Sequence, residues 1–259
     1  MDGLIGHSGY VGQTLLRQRS FDRRYRSTDI ASIRGESFEL LVVSGAPAAK
    51  WVADRDPAAD LARLEGLASH LDEVAARRVI LVSTVDVFAD SRGADEEADP
   101  TLAPTSAYGR NRLWLEGRVR RRFPSALVVR LPGLVGPGLR KNAIFDLRND
   151  NNLATIDSRS VYQFYPMVNF WHDLQTALAA GLSLVHLTAA PVSVEEVARD
   201  GFGRDFRNTV EGRVPASYDF KSRHAALFGG RGAYQYDRRE SLIAIRAYAQ
   251  SEPPSRPLA

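Results

Sequence analysis

Two short segments hold the residues best suited to proton transfer. Ser83-Thr84-Val85-Asp86-Val87-Phe88 closes an apolar run, and Tyr108-Gly109-Arg110-Asn111-Arg112 follows further along the chain. If the second segment is helical, Tyr108 and Arg112 stand one turn apart on one face. A phenol beside a fixed cation loses pKa, because the cation favours the phenolate. Tyrosine starts near 10, so titration near 7 asks for about 4 kcal/mol of differential stabilisation. The Thr84 hydroxyl could bond the same substrate oxygen. Thr84, Tyr108 and Arg112 are therefore the candidate catalytic set, a proton-transfer site that would sit beside a hydride carrier. The alternative is a strand-end threonine and a helix-start tyrosine with no chemistry between them.

A hydride carrier needs a cradle, and the N-terminus offers one. Gly6-His7-Ser8-Gly9-Tyr10-Val11-Gly12 follows a short strand and leads into Gln13-Thr14-Leu15-Leu16, a plausible helix start. Glycine permits a tight turn, close approach to a pyrophosphate and close helix–strand packing. A helix N-terminus adds unpaired N–H groups for phosphate. A glycine-rich turn without a ligand is the plainer reading. In an NAD site an acid is expected about 20 residues past the loop, on the ribose hydroxyls. Here that stretch is Arg23-Arg24-Tyr25-Arg26-Ser27-Thr28, and Asp29 comes late. Arg26 and Ser27 could hold a 2′-phosphate, which favours NADP over NAD, or be plain surface charge.

The elements that must position these residues alternate. Strands are expected at Gly3–Ile5, Phe38–Val43, Val79–Ser83 and Ala126–Arg130. A helix is expected from about Pro57 to Ala76, where Leu61, Leu64, Ala68, Leu71 and Ala75 step by three and four, and another from about Ala107 to Arg122. Strands alternating with helices predict an α/β protein with a parallel sheet covered on both faces, which binds ligands at its carboxyl edge. Beyond Leu139 the pattern loosens. Asn149–Asn152 reads as a turn, Trp171–Ala180, Val194–Arg199 and Leu242–Ala249 as helices, and Leu184–Leu187 as a strand. The expected division is a dinucleotide-binding domain over 1–140, a small substrate lobe over 141–250 and a flexible tail over 251–259.

Composition narrows the function classes. The chain has 259 residues, 44% hydrophobic and 25% charged, which is enough to bury a core unaided. It has no cysteine, so disulfides, thiolate metal sites and cysteine nucleophiles are excluded. A net charge of +3 is too balanced to argue for nucleic acid. No apolar run reaches the ~18 residues of a membrane span. The opening MDGLIGHSGYVG lacks the shape of a secretory signal, so a cytoplasmic location is expected. The five histidines show no metal-ligand spacing with a carboxylate partner, so no metal is expected. The basic cluster Arg118, Arg120, Arg121 and Arg122 reads as a solvated helix face.

Together, GHSGYVG, STVDVF, PTSAYGRNR and RLPGLVGPG resemble the extended short-chain dehydrogenase/reductase family. More narrowly they resemble its NAD(P)-dependent nucleotide-sugar epimerase, dehydratase and reductase group. The resemblance covers roughly residues 1–140 and continues more weakly through NFWHDL and PVSVEEVA. It implies a Rossmann-type doubly wound sheet with a small C-terminal substrate lobe. It implies that Gly6, Gly9 and Gly12 match the cofactor loop, Thr84 the strand-end hydroxyl and Tyr108 the acid/base tyrosine. Pro132 to Gly138 would match the segment that passes the nicotinamide, and Gly45, Ala46 and Pro47 sit where this family's cofactor and substrate meet. A homodimer through the helix holding Tyr108 is a further implication.

Three departures bear on the chemistry. The family's Tyr-x-x-x-Lys is here Tyr-x-x-x-Arg, which keeps a cation but not lysine's bond to the nicotinamide ribose. The span from Thr28 to Phe38 is too short for the usual helix–strand–helix insertion, which predicts a sheet trimmed by about one strand. Only one carboxylate, Asp86, follows Thr84, whereas the dehydratases carry two adjacent acids, so reduction or epimerisation ranks above dehydration. On the substrate side, Lys50, Asp86, Arg140, Lys141 and Asn142 are candidate contacts, the last three gripping a diphosphate. Trp51 has two equal readings, a substrate contact or a packing residue. Tyr162-Gln163-Phe164-Tyr165 could stack a nucleobase or pack in a core, and the run Tyr218 to His224 could line the site. The expected activity is hydride transfer on a nucleotide-activated sugar. The rival expectation is a non-catalytic dinucleotide- or nucleotide-sugar-binding protein of the same fold.

Overall fold

The computed structural model describes residues 1–254. Its elements are β1 (Asp2–Ile5), α1 (Tyr10–Gln18), β2 (Arg23–Tyr25), β3 (Ser37–Val43), α2 (Lys50–Arg55), α3 (Pro57–Leu71), β4 (Ala75–Thr84), α4 (Ala107–Arg122), β5 (Leu127–Leu131), β6 (Gly133–Val135), α5 (Ala143–Asn149), β7 (Val161–Tyr162), β8 (Phe164–Pro166), α6 (Phe170–Ala179), β9 (Leu184–His186), β10 (Val192–Ser193), α7 (Val194–Glu196) and α8 (Arg238–Ser251). The chain forms two compact units. The first comprises Met1–Asp90, Glu96–Leu131 and Trp171–His186, and the second comprises Ser91–Asp95, Pro132–Phe170 and, of the described residues, those from Leu187 on. No helix among the described residues is long and apolar enough to cross a membrane.

The first unit is built on a six-stranded sheet in the order β2-β1-β3-β4-β5-β9. Every pairing is parallel. Both faces are covered, as unbroken apolar strands require. Val79, Leu81 and Val128 join the core beneath α3 and α4. Ile80, Leu127 and Val129, one residue out of phase, are just as buried on the other face. A doubly wound sheet of order 3-2-1-4-5-6 carries two strands beyond β1. Here only β2 lies beyond β1, and the connection to β3 is a single 3₁₀ turn at Ile30–Ile33. This is the trimmed Rossmann-type sheet expected from the short Thr28–Phe38 span.

Helix α3 starts where Asp56 accepts a bond from the Ala59 N–H, with Pro57 in the first turn. It ends at Leu71 rather than near Ala76. Ala75 is instead the first residue of β4 and pairs with Ser37. Helix α4 is capped by Ser106 and buries Leu115 and Val119. Its basic C-terminal end is not simply a solvated face. Arg118 forks onto Asp72 at 2.8 and 3.1 Å, and Arg122 donates to the carbonyls of Asp72 and Val74, stapling α4 to the end of α3.

The second unit has small ladders instead of a large sheet. β6 pairs parallel with β8, and β10 pairs antiparallel with β7. Gln163 sits between them, donating to the carbonyls of Ala189 and Phe220 and accepting from the Phe220 N–H. Phe164 and Tyr165 are buried core residues, and Tyr162 packs on Tyr218 at 5.5 Å. The expected helix Val194–Arg199 is α7 continued by a π-helical turn at Val197–Gly201. Helix α8 starts four residues earlier than expected, because Asp237 and Glu240 form a capping box. It runs to Ser251, and Glu252 accepts from the Gly138 N–H and from Arg148. Ser251 and Glu252 of the expected tail are therefore part of the helix end and its anchor, and 255–259 lie outside the described residues.

Candidate active site

The glycine loop joins β1 to α1. Gly6 takes φ +87°, and its N–H donates to the carbonyl of Tyr25 on β2. A Cβ on Gly12 would lie 2.2 Å from the Gly6 carbonyl oxygen, so this glycine is needed for the helix to seat against the loop. Gly9 differs, because a Cβ there would meet only the Gly6 oxygen at 3.5 Å. The fold tolerates a side chain at Gly9, and glycine leaves its backbone bare. Gly9 is also the N-cap of α1, with no side-chain cap and no acid in the first turn. An uncapped helix start behind a bare glycine is fit to receive a phosphate. Ser8 is exposed, His7 is half-buried, and the His7 carbonyl accepts from Gln13. Tyr10 and Val11 form the first turn.

Arg26 and Ser27 follow β2 and are exposed. Asp29 turns back on this segment. Its carboxylate accepts from the Arg26 N–H at 2.7 Å and lies 3.7 Å from the Arg26 guanidinium. Gly45, Ala46 and Pro47 follow β3. A Cβ on Gly6 would strike Ser44 and Gly45, so the two loops touch where the sheet order reverses.

The candidate proton-transfer residues come together at the end of β4 and the start of α4. Thr84 closes β4 and its hydroxyl accepts from the Asp86 N–H at 3.1 Å. Gly109 lets α4 reach this turn, since a Cβ there would lie 2.1 Å from the Asp86 carbonyl. Lys50 on α2 pairs with Asp86 at 2.9 Å, and Asp54 of the same helix accepts from the Tyr108 N–H. One turn along α4, the Arg112 guanidinium lies 4.3 Å from the centre of the Tyr108 ring. Its fork closes on Asp60 of α3 at 2.8 and 3.1 Å, and it also donates to the Pro47 carbonyl. Its Nε is buried without a hydrogen-bond partner.

The expected low Tyr108 pKa is not what this geometry produces. Burial pushes the phenol up; Arg112 pulls it down, but Asp86 and Asp60 push it up again, and the net direction is upward. Asp60 itself is raised by burial. Its hydrogen bonds from Arg112 and Asn111 outweigh that, and it titrates below the usual carboxylate range.

Three residues of this neighbourhood, Asp60, Glu116 and Arg130, went unread. Asp60 shares the apolar register of Leu64, Leu67 and Leu71 on α3, and a charge in that stripe signals a buried partner. Beneath Ser83 lies a second buried pair, Glu116 and Arg130, joined at 2.7 Å, with Ser83 donating to Glu116 and His186 3.4 Å from Arg130.

Of the expected substrate contacts, Lys50 and Asp86 are brought together. Pro132, Arg140, Lys141 and Asn142 belong to the second unit. There Asn142 caps α5, accepting from Ile144 and Phe145 and donating to the Leu134 carbonyl. Arg140 and Lys141 are exposed. A cavity of about 590 Å³ in that unit is lined by Arg148, Arg199, Arg204 and Arg246 with Asp150 and Asp200, and does not include Arg140 or Lys141. Among the described residues no group of three or more His, Asp or Glu could hold a metal ion. Trp51 is 69% exposed on α2.

The fold and glycine cradle define a Rossmann-type α/β protein of the doubly wound class. No family model matches the chain, and no curated protein matches it. Solved structures do. An NAD-dependent NDP-hexosamine 5,6-dehydratase involved in tunicamycin biosynthesis superposes with a TM-score of 0.74 at 16% identity, covering 97% of this chain and 98% of its own. A dTDP-4-dehydrorhamnose reductase from Bacillus anthracis, solved with NADP, gives 0.74 at 15% identity, covering 95% and 96%. A UDP-galactose 4-epimerase gives 0.73 at 17% identity, covering 96% and 98%. At these identities the likeness establishes a shared fold.

Proposed function

We propose that this protein is an NAD(P)-dependent oxidoreductase or epimerase of the extended short-chain dehydrogenase/reductase kind, acting on a nucleotide-activated sugar. The observation that carries the reading is the stacking of Arg112 on Tyr108 at 4.3 Å, on a helix that Gly109 brings against the end of β4. The solved neighbours act on nucleotide sugars and include NAD- and NADP-bound forms, which supports it.

The loop from Gly6 to Gly12 would hold the pyrophosphate on the uncapped start of α1, and Arg26 with Ser27 would take a 2′-phosphate. When bound, the nicotinamide ring supplies a hydride donor or acceptor. Tyr108 exchanges the proton of the sugar oxygen through its Oη, and Thr84 orients that oxygen. Arg112 holds the phenol ring from one face. Asp86, paired to Lys50, offers a single carboxylate beside Thr84, which favours reduction or epimerisation over loss of water. On the second unit, Arg140 and Lys141 remain the candidate cations for a diphosphate. The resemblance also implies a homodimer through α4, which sedimentation of the purified protein tests.

The test is a panel of nucleotide sugars with NAD(P)H or NAD(P), read at 340 nm for net oxidation or reduction and by chromatography of the sugar products for epimerisation, which leaves 340 nm unchanged. Turnover is expected, and Tyr108→Phe is expected to lower kcat by about 10²-fold or more while dinucleotide affinity holds. A second reading is favoured by Arg112, whose terminal nitrogens are committed to Asp60 and Pro47. It is a protein that binds the dinucleotide without turnover. Tight binding with neither an absorbance change nor an epimerised product across the panel would select it.

A further inference from the structure

The charge next to Tyr108 depends on Arg112 and equally on what holds Arg112. Asp60 is 3% exposed and sits among the apolar residues of α3, where an unpaired carboxylate would be costly. Both of its oxygens face the guanidinium fork, and Asn111 donates to one of them at 2.9 Å. A two-point pair fixes the guanidinium plane as well as its position. It also makes the buried pair neutral overall. The other charge acting on the phenol is Asp86, itself paired with Lys50, while Asp54 accepts from the Tyr108 backbone N–H.

We propose that Asp60 is a positioning residue of this site: it holds Arg112 over the Tyr108 ring and cancels its charge, so that Tyr108 serves as a proton donor. In a carbonyl reduction, whose hydride a bound reduced nicotinamide would supply to the carbon, the Oη–H bond breaks as an O–H bond forms on the substrate oxygen, and solvent returns the proton to the phenolate. Reduction of a carbonyl calls for a donor at that oxygen, whereas oxidation of a hydroxyl calls for an acceptor. The inference rests on Tyr108 being the proton-transfer group. Its test needs neither cofactor nor turnover, so the two can fail separately.

The test is titration of the Tyr108 phenol in the full, ligand-free chain, by ¹³C NMR with tyrosine labelled at Cζ. Tyr108→Phe identifies its signal among the nine tyrosines. Asp60→Asn is expected to move the titration down by about 1 to 3 pH units, because Arg112 is then uncompensated. A merely structural role would lower stability and leave that titration where it is. An Asp60→Asn protein with native circular dichroism whose Tyr108 titrates with the wild type overturns the proposal. If that variant does not fold, Arg112→Gln and the double variant Asp60→Asn/Arg112→Gln decide. Tyr108 should titrate higher in the single variant than in the double, and coincident titrations overturn the proposal.

Discussion

Arg112 stands one helical turn from Tyr108, 4.3 Å from the centre of its ring, and its guanidinium closes as a fork on Asp60 of the neighbouring helix. The pair is 3% and 4% exposed at its side chains. Removing one partner leaves a buried charge, which costs about 3–5 kcal/mol. Arg112→Met should therefore lower the unfolding free energy by about that amount. Arg112→Lys should lose part of it, since an ammonium cannot reproduce the fork. Urea unfolding of the variants beside the wild type measures both.

The glycine loop separates packing from ligand binding. Gly12→Ala would drive a methyl to 2.2 Å from the Gly6 carbonyl and should lower Tm by several degrees. Gly9→Ala meets only an ordinary contact at 3.5 Å and should keep its Tm while losing dinucleotide affinity. Thermal melts with and without NADPH distinguish the two.

Under the proposed function, Arg26 would set the choice between the two dinucleotides. A charge-assisted contact to a 2′-phosphate is worth about 1.5 kcal/mol or more, roughly tenfold in affinity. Arg26→Ala should cut the preference for NADPH over NADH by that factor and leave NADH binding unchanged. Competitive titration of the two reads it.

Stability should fall at acid pH for a traceable reason. Asp157 is held below the usual range chiefly by Arg159 and then by the Val210 N–H, and Asp60 is also depressed. A carboxylate depressed in the folded state contributes stability above its unfolded pKa of about 4, and that contribution is lost as pH falls further. Asp157→Asn should flatten part of the decline in the urea midpoint below about pH 4.

At alkaline pH the sign reverses. Burial, then Glu252, pushes Tyr248 up to about 12. Its stabilisation is complete below the unfolded value near 10 and is lost as pH rises above it. Tyr248→Phe should soften the loss of stability between about pH 10 and 12.

The sheet was readable because parallel strands buried on both faces are unbroken apolar runs, as Leu40–Val43 and Val79–Val82 are. The glycine spacing and the pair Tyr108 and Arg112 were readable because each is local. Asp60 was not, since its partner lies 52 residues away and only the fold joins them. Spacing also could not supply the burial of Tyr108, which outweighs its cation and reverses the expected direction of its titration. The ladders of the second unit have two or three residues per strand, too few to show a period. Helix α2 went unread for a similar reason, having six residues and no capping side chain.

Calorimetric titration of the purified chain with NADPH, alongside Gly9→Ala, bears most closely on the glycine cradle. Binding with a Kd below about 0.1 mM, weakened at least tenfold by the added methyl, is the expected result. Absence of binding at millimolar NADPH and NADH, or equal affinity in the two proteins, would contradict a dinucleotide on the start of α1 and the proton chemistry that depends on it.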